Sequence, residues 1–321
     1  MALINTNSQA KQYVKVLFTN NETAIPNMTK AERRFIVPIL GNDLYDELLT
    51  HVEESGTDAD LETLLDKVRQ ALAPLAYWID LPTIQSQITD AGIRTISNDN
   101  MQAAHRWEYE EIKAGLEEDG CWGLEYLLAF LFANASTYSW EPASEYDLIF
   151  KHAQEFQKYY PLYQPYRTFQ SLRPVIKQII DQYIISEIGQ AFYEELIAEA
   201  SPSAEQAAAI ELIKQAVANL TVMRAVAVLS VKFGADGFTV TLGANTEKPD
   251  QGRQHANDNQ LSLLLKECQR TGESYLLRLS DYLDATASAS IFQTYFASEK
   301  YKDPNAVVTD PNSLRKGIFG M

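Results

Sequence analysis

"GNDLYDELL", Gly41 to Leu49, and "GQAFYEELI", Gly189 to Ile197, stand 148 residues apart in the same chain. Four of the nine positions are identical, and Leu44/Phe192, Asp46/Glu194 and Leu49/Ile197 are conservative exchanges. Each stretch follows an apolar run of helical period and opens with glycine, which adopts positive φ without a Cβ penalty. The pattern predicts a joint in which Gly41 takes the left-handed position ending one helix. Asn42 then caps a second helix through Val52, with Leu44 and Leu48 buried. Gly41, Tyr45 and Leu48 are the informative letters, and Gly189, Tyr193 and Leu196 are their partners. The acids are not. Neighbouring carboxylates such as Asp46 and Glu47 diverge by about 100° on a helix and cannot converge on a substrate. Near a helix N-terminus they read as a solvated face favoured by the dipole.

The duplication extends outward from the joint. "IIDQYIISEIG" answers "AERRFIVPILG", and "IKQAVANL" (Ile213–Leu220) answers "VRQALAPL" (Val68–Leu75). "GADGFTV" (Gly234–Val240) answers "TDAGIRT" (Thr89–Thr95), and "GESYLLRL" (Gly272–Leu279) answers "GLEYLLAF" (Gly123–Phe130). "FQTYF" (Phe292–Phe296) answers "FQKYY" (Phe156–Tyr160). A repeat this long is too long for a solenoid and implies two tandem domains. The expected fold is mainly α: two tandem helical domains from an internal duplication, each with a short β-hairpin or extended loop. The expected boundaries are an N-terminal arm over 1–28, a first helical domain over 29–160 and a linker over 161–174. A second domain over 175–300 and an extended tail over 301–321 complete the chain.

Within that frame "QYVKVLF" (Gln12–Phe18) reads as a strand or a pairing arm, and Thr29 with Glu32 as a capping box. A helix is expected over about 60–79, ended by Pro82, followed by a hairpin or loop over 85–97. Separate helices are expected over about 100–117, 124–138 and 144–159. Residues 159–174 are rich in Pro and Tyr and read as linker. Residues 312–321 hold no acid and two bases, Arg315 and Lys316, followed by Ile318, Phe319 and Met321. A polar strap ending in apolar anchors suits docking onto another subunit.

The chain carries a formal charge of −16 with a pI near 4.7, and 46% of its residues are hydrophobic. Such composition excludes general disorder, and such charge disfavours a broad nucleic-acid-binding face. No apolar run has the length of a membrane span, and the first residues lack the pattern of a secretory signal. Cys121 and Cys268 lie far apart without a CxxC, so neither a disulfide framework nor a zinc site is expected. No Walker A, GxGxxG, GxSxG or HExxH motif occurs. His105, Glu108 and Glu111 form one helical row, half of what a di-metal bundle requires. The row reads as a solvated helix face, and no catalytic residue, metal or cofactor is expected.

The pattern F-I-x-P-x-L-G-x-x-L-Y-x-x-L, then I-x-D-A-G-I, resembles the adaptor (head–tail connector) proteins of tailed bacteriophages. The likeness is greatest to an uncharacterised family seen in phages and prophages of Bacteroidota. It rests on Phe35, Ile36, Pro38, Leu40, Gly41, Leu44, Tyr45, Leu48, Ile88, Asp90, Ala91, Gly92 and Ile93. The resemblance implies a structural virion protein of the neck, assembled in the host cytoplasm. It would form a twelve-fold or pseudo-twelve-fold ring with copies of itself. It would contact the portal protein and downstream tail or neck proteins, with DNA only passing through its channel. The second domain departs from single-unit adaptors. The alternative is a helical protein- or ligand-binding module, with Tyr163 and Tyr166 lining an apolar pocket.

Overall fold

The structure is a computed structural model. It describes residues 2–15, 26–89, 92–95, 105–142, 148–162, 165–198, 201–229, 231–234, 237–240 and 258–304. Two compact units divide the chain, Met1–Gln170 and Ser171–Met321.

The first unit begins with a short helix, α1 (Asn7–Ala10), capped by the Thr6 hydroxyl. A second helical stretch runs through α2 (Met28–Ala31), a π-helical turn (Glu32–Ile36) and α3 (Val37–Leu40). After Gly41 come α4 (Asn42–Glu53) and the long α5 (Ala59–Gln85). A two-stranded antiparallel hairpin follows, β1 (Ser86–Thr89) against β2 (Gly92–Thr95), with Ser86 opposite Thr95. The long α6 (Arg106–Ala133) returns along α5, and α7 (Ala153–Gln157) is a single turn. Leu64, Leu65, Val68, Leu72 and Leu75 of α5 are buried together with Leu124, Leu127, Leu128 and Leu131 of α6. Their i, i+3, i+4 spacing is what places them on facing stripes.

The second unit repeats that order. Helix α8 (Pro165–Ile179), which begins in the first unit and continues into the second, a π-helical turn (Ile180–Ile184) and α9 (Ile185–Ile188) lead to Gly189. Then come α10 (Gln190–Ala198), α11 (Ala204–Leu229), β3 (Val231–Gly234) paired with β4 (Gly237–Val240), α12 (Asp258–Thr286) and α13 (Gln293–Phe296). Both strands of the second hairpin lie 145 residues after those of the first. The π-turn recurs 148 residues on, although Pro38 is replaced by Ser186. Proline is therefore not its cause. The Ser186 hydroxyl instead donates to the Gln182 and Tyr183 carbonyls at 2.8 and 3.0 Å.

Several expectations are corrected. Helix α5 does not stop at Pro82 but continues to Gln85, with Pro74 also inside it. A proline inside a helix costs about 3 kcal/mol, whereas each fully buried Leu or Val contributes about 1.5–3 kcal/mol, and α5 buries many. The two helices expected over 100–117 and 124–138 are one, α6 (Arg106–Ala133), in which Gly120 and Gly123 are contacts and not breaks. A Cβ on Gly123 would stand 2.6 Å from Ala71 Cα, so glycine there lets α6 approach α5. Of the helix expected over 144–159, the described part is helical only at Ala153–Gln157. Phe150 instead packs on Phe156 and Tyr159 at 5.0 and 5.7 Å, and Glu155 accepts from the Lys151 amide.

The linker expected over 161–174 is largely α8, which buries Phe169, Leu172, Val175, Ile176 and Ile179 at helical spacing. Pro165 sits at its first position, where a missing amide costs nothing. The N-terminal arm is not separate, because Leu3, Ile4, Ala10 and Val14 are buried in the first core. Of the stretch expected as a strand or arm, Gln12 and Tyr13 form a turn and Val14 a bend, while 16–18 lie outside the described residues. "FQKYY" and "FQTYF" are not equivalent in structure either. Phe156 lies within α7, while Phe292 precedes α13 at φ 56°.

Candidate functional site

Gly41 sits at φ 79°, ψ 167°, and Gly189 at φ 85°, ψ 149°. Only glycine populates this region readily, and it is more extended than the left-handed cap expected. Each glycine amide closes the preceding helix, on Val37 and Ile185 carbonyls at 2.9 Å. Each glycine carbonyl opens the next, accepting from Tyr45 and Tyr193 amides at 3.3 and 3.2 Å. Gly41 is itself the N-cap and Asn42 the first helical residue, which corrects the assignment of Asn42 as cap. Leu44 and Leu48 are buried, as are Phe192, Tyr193 and Leu196. The Ile39 carbonyl, left over where α3 ends, is satisfied by the Trp140 indole N–H at 2.9 Å.

Glu32 does not complete a capping box, because Asn27 caps α2 through the Lys30 amide. Its carboxylate is fully buried and accepts from the Leu3 amide at 2.6 Å and the Tyr45 hydroxyl at 2.9 Å. The Leu3 carbonyl in turn accepts from Arg69 Nε at 2.9 Å. Burial raises the Glu32 carboxyl above its usual range, against the lowering effect of those two hydrogen bonds. Burial, and then the Glu32 carboxylate, raise the Tyr45 phenol. The second unit has Ile180 at the matched position, also buried. The joint is thus a structural element in both units, and in the first it also holds the N-terminal arm. Asp43, Asp46 and Glu47 are exposed on α4. A cleft beside the joint is lined by Leu40–Leu44, Glu47 and Tyr138–Glu141.

A second feature lies on α6, which motif reading missed. A small notch is lined by Glu117, Glu118, Cys121, Trp122, Glu125, Pro165, Tyr166 and Arg167. Glu125 is 1% exposed. Its Oε1 accepts from the Gln154 amide at 2.7 Å, and its Oε2 has no hydrogen-bond partner. His152 Nδ1 stands 3.4 Å from Oε1 but lacks the geometry of a hydrogen bond. Arg167 pairs with Glu117 at 2.7 Å. Trp122 and Tyr126 stack one turn apart at 5.8 Å, and Tyr126 is 55% exposed. The available signal was a glutamate inside the apolar run "GLEYLLAF", where the second repeat has Ser274. Burial, then Glu117, push the Cys121 thiol up to about 11, so it is no thiolate nucleophile at neutral pH.

His105 is the N-cap residue of α6, and Glu108 accepts from its backbone amide at 2.8 Å. Glu111 is exposed. Among the described residues no three His, Cys, Asp or Glu side chains converge as metal ligands. No described helix is long and apolar enough to cross a membrane. Arg315, Lys316, Ile318, Phe319 and Met321 lie outside the described residues, as do Tyr163, Asp90 and Ala91.

No curated protein and no solved structure matches the chain. One family model matches it twice, over residues 36–147 in the first unit and 176–305 in the second. Those matches cover most of the chain, which belongs to the Family of unknown function (DUF6712).

Proposed function

We propose that this protein is a structural virion component, a head–tail connector whose copies form a ring between the portal and the tail or neck. The observation that carries this reading is the duplicated unit, two copies of one glycine-jointed helical pair with a hairpin after its long helix. The adaptor-like residues lie at that joint: Ile36, Leu40, Leu44 and Leu48 are core, Gly41 is the hinge and Tyr45 is a buried-carboxylate partner. Conserving shape without chemistry is what a ring subunit needs. The acidic balance is concentrated in the first unit, with 25 acidic and 13 basic residues against 18 and 14 in the second. A negative channel wall does not grip passing DNA.

The test is assembly. Native mass spectrometry and negative-stain imaging of the protein with its portal are expected to reveal rings. A strictly monomeric species under every condition, portal included, would overturn the reading. A second reading, a helical ligand- or protein-binding module, is favoured by the α6 notch, which Tyr166 helps to line. Saturable ligand binding at that notch by a protein that never assembles would select it.

A further inference from the structure

We propose that the α6 notch receives the basic end of a second copy of this chain. The Lys316 ammonium would meet Glu125, and the Phe319 ring would lie on the Trp122–Tyr126 pair. This deepens the connector reading, in which copies of the chain meet.

Four observations lead there. First, Glu125 lines an opening, its Oε2 is a buried carboxylate oxygen lacking a donor, and His152 Nδ1 stands 3.4 Å from the other oxygen without hydrogen-bond geometry. Burying such an oxygen unmatched costs about 1–3 kcal/mol or more, so the site gains from an incoming donor. Second, the surroundings suit a cation flanked by an apolar group. Trp122 and Tyr126 offer ring faces, which attract cations. Glu118 is exposed at the rim, while Glu117 is already matched by Arg167. The opening is narrow, which favours a compact ammonium over a planar guanidinium, and hence Lys316 over Arg315.

Third, the charges complement each other. The notch belongs to the unit with 25 acidic residues, whereas residues 312–321 contain none. Seventeen residues follow Pro304 and can span about 55–60 Å when extended. Fourth, the counts agree. Ser274, exposed, replaces Glu125 in the second unit, so that unit lacks the buried carboxylate. One notch and one tail per chain make a heterologous contact, the kind that closes rings.

The experiment places photoreactive p-benzoylphenylalanine at position 319 of the full chain and mixes isotopically heavy and light protein before illumination. The expected product joins position 319 of one copy to residues 117–126 of another, as a heavy–light cross-link. Glu125→Gln is expected to lower its yield by roughly tenfold or more. Lys316→Glu, with its helicity checked by circular dichroism, is expected to do the same, so a misfolded E125Q protein would not blunt the test. Cross-links mapping elsewhere, cross-links only within one copy, or a yield indifferent to Lys316→Glu would overturn the proposal. Native mass spectrometry of the same samples reads assembly separately. Rings without the cross-link would sink the notch and leave the connector reading standing. A heavy–light cross-link in a non-ring oligomer would sustain the notch without the ring.

Discussion

Glu32 shows how one side chain separates two otherwise similar units. Its carboxyl is held above its usual range by burial, so the folded state binds its proton more tightly than the unfolded state does. A group raised on folding adds stability below its unfolded value, about 4.3 for glutamate, and loses it as pH climbs through the folded value. Glu32→Gln keeps an acceptor for the Leu3 amide and removes the proton. Urea unfolding is therefore expected to show the wild type declining in stability above pH ~4.3, and this variant losing part of that decline. An unchanged pH profile would contradict the assignment. Glu32→Ala leaves the Leu3 amide unmatched and is expected to cost about 1–3 kcal/mol. The pairing was not legible in sequence because its partner lies 29 residues away, while the capping-box pattern at Thr29 is local. The joint was legible because positive φ selects glycine, and the chain uses it twice. A Cβ at Gly41 or Gly189 meets no atom within 4 Å. Alanine at either position is thus expected to cost about 1–3 kcal/mol from backbone strain alone. Calorimetry comparing the two variants is expected to find similar losses, and a negligible loss in both would refute the strained joint.

At the level of elements, the same glycines that read as helix breaks turn out to set how closely two helices cross. Gly123 faces Ala71 in the first unit, and Gly272 faces Leu220 and Ala216 in the second. Gly272 answers Gly123 in sequence, but its neighbour Leu220 answers Leu75, which stands beside Gly120 in the first unit, so the close glycine contact recurs at a shifted position. The obstacles differ. A Cβ at Gly123 would come within 2.6 Å of backbone, which cannot step aside, while one at Gly272 would meet the Leu220 side chain, which can rotate. Gly123→Ala is expected to cost about 1–3 kcal/mol as overpacking, and Gly272→Ala less. Equal melting shifts would mean that the α5–α6 crossing is not fixed by this contact. Sequence periodicity captured the buried positions Leu44 and Leu48 of α4, because 3.6-residue spacing is a local property. It misplaced the ends of α5 and α6, because glycine and proline interrupt isolated helices but are tolerated where a partner helix buries the flanking residues. The expected linker failed for a related reason: of its prolines Pro161 precedes the helix, Pro165 opens it and Pro174 lies inside it, yet Phe169, Leu172 and Val175 supply a buried stripe that continues the helix.

For the whole molecule, the divergence between the two units is more informative than their similarity. Among the described residues the two buried carboxylates, Glu32 and Glu125, lie in the first unit, where the second has Ile180 and Ser274. A symmetric duplicate would use both units alike, whereas these substitutions give the halves separate tasks. One half retains the N-terminal arm and an open acidic notch, and the other leads to the basic terminal segment. In the proposed ring this asymmetry makes assembly depend on the terminal segment. Deleting residues 311–321 is therefore expected to weaken association between copies, or docking to the portal, without loss of helicity. Circular dichroism with sedimentation of the same samples checks both halves of that statement. The interaction should also weaken with salt, because a contact between Lys316 and acidic side chains at the mouth of the notch is screened once the Debye length falls to about 3 Å at 1 M. Association that is indifferent to both the deletion and salt would place the contact between copies on the helical units and not on the tail.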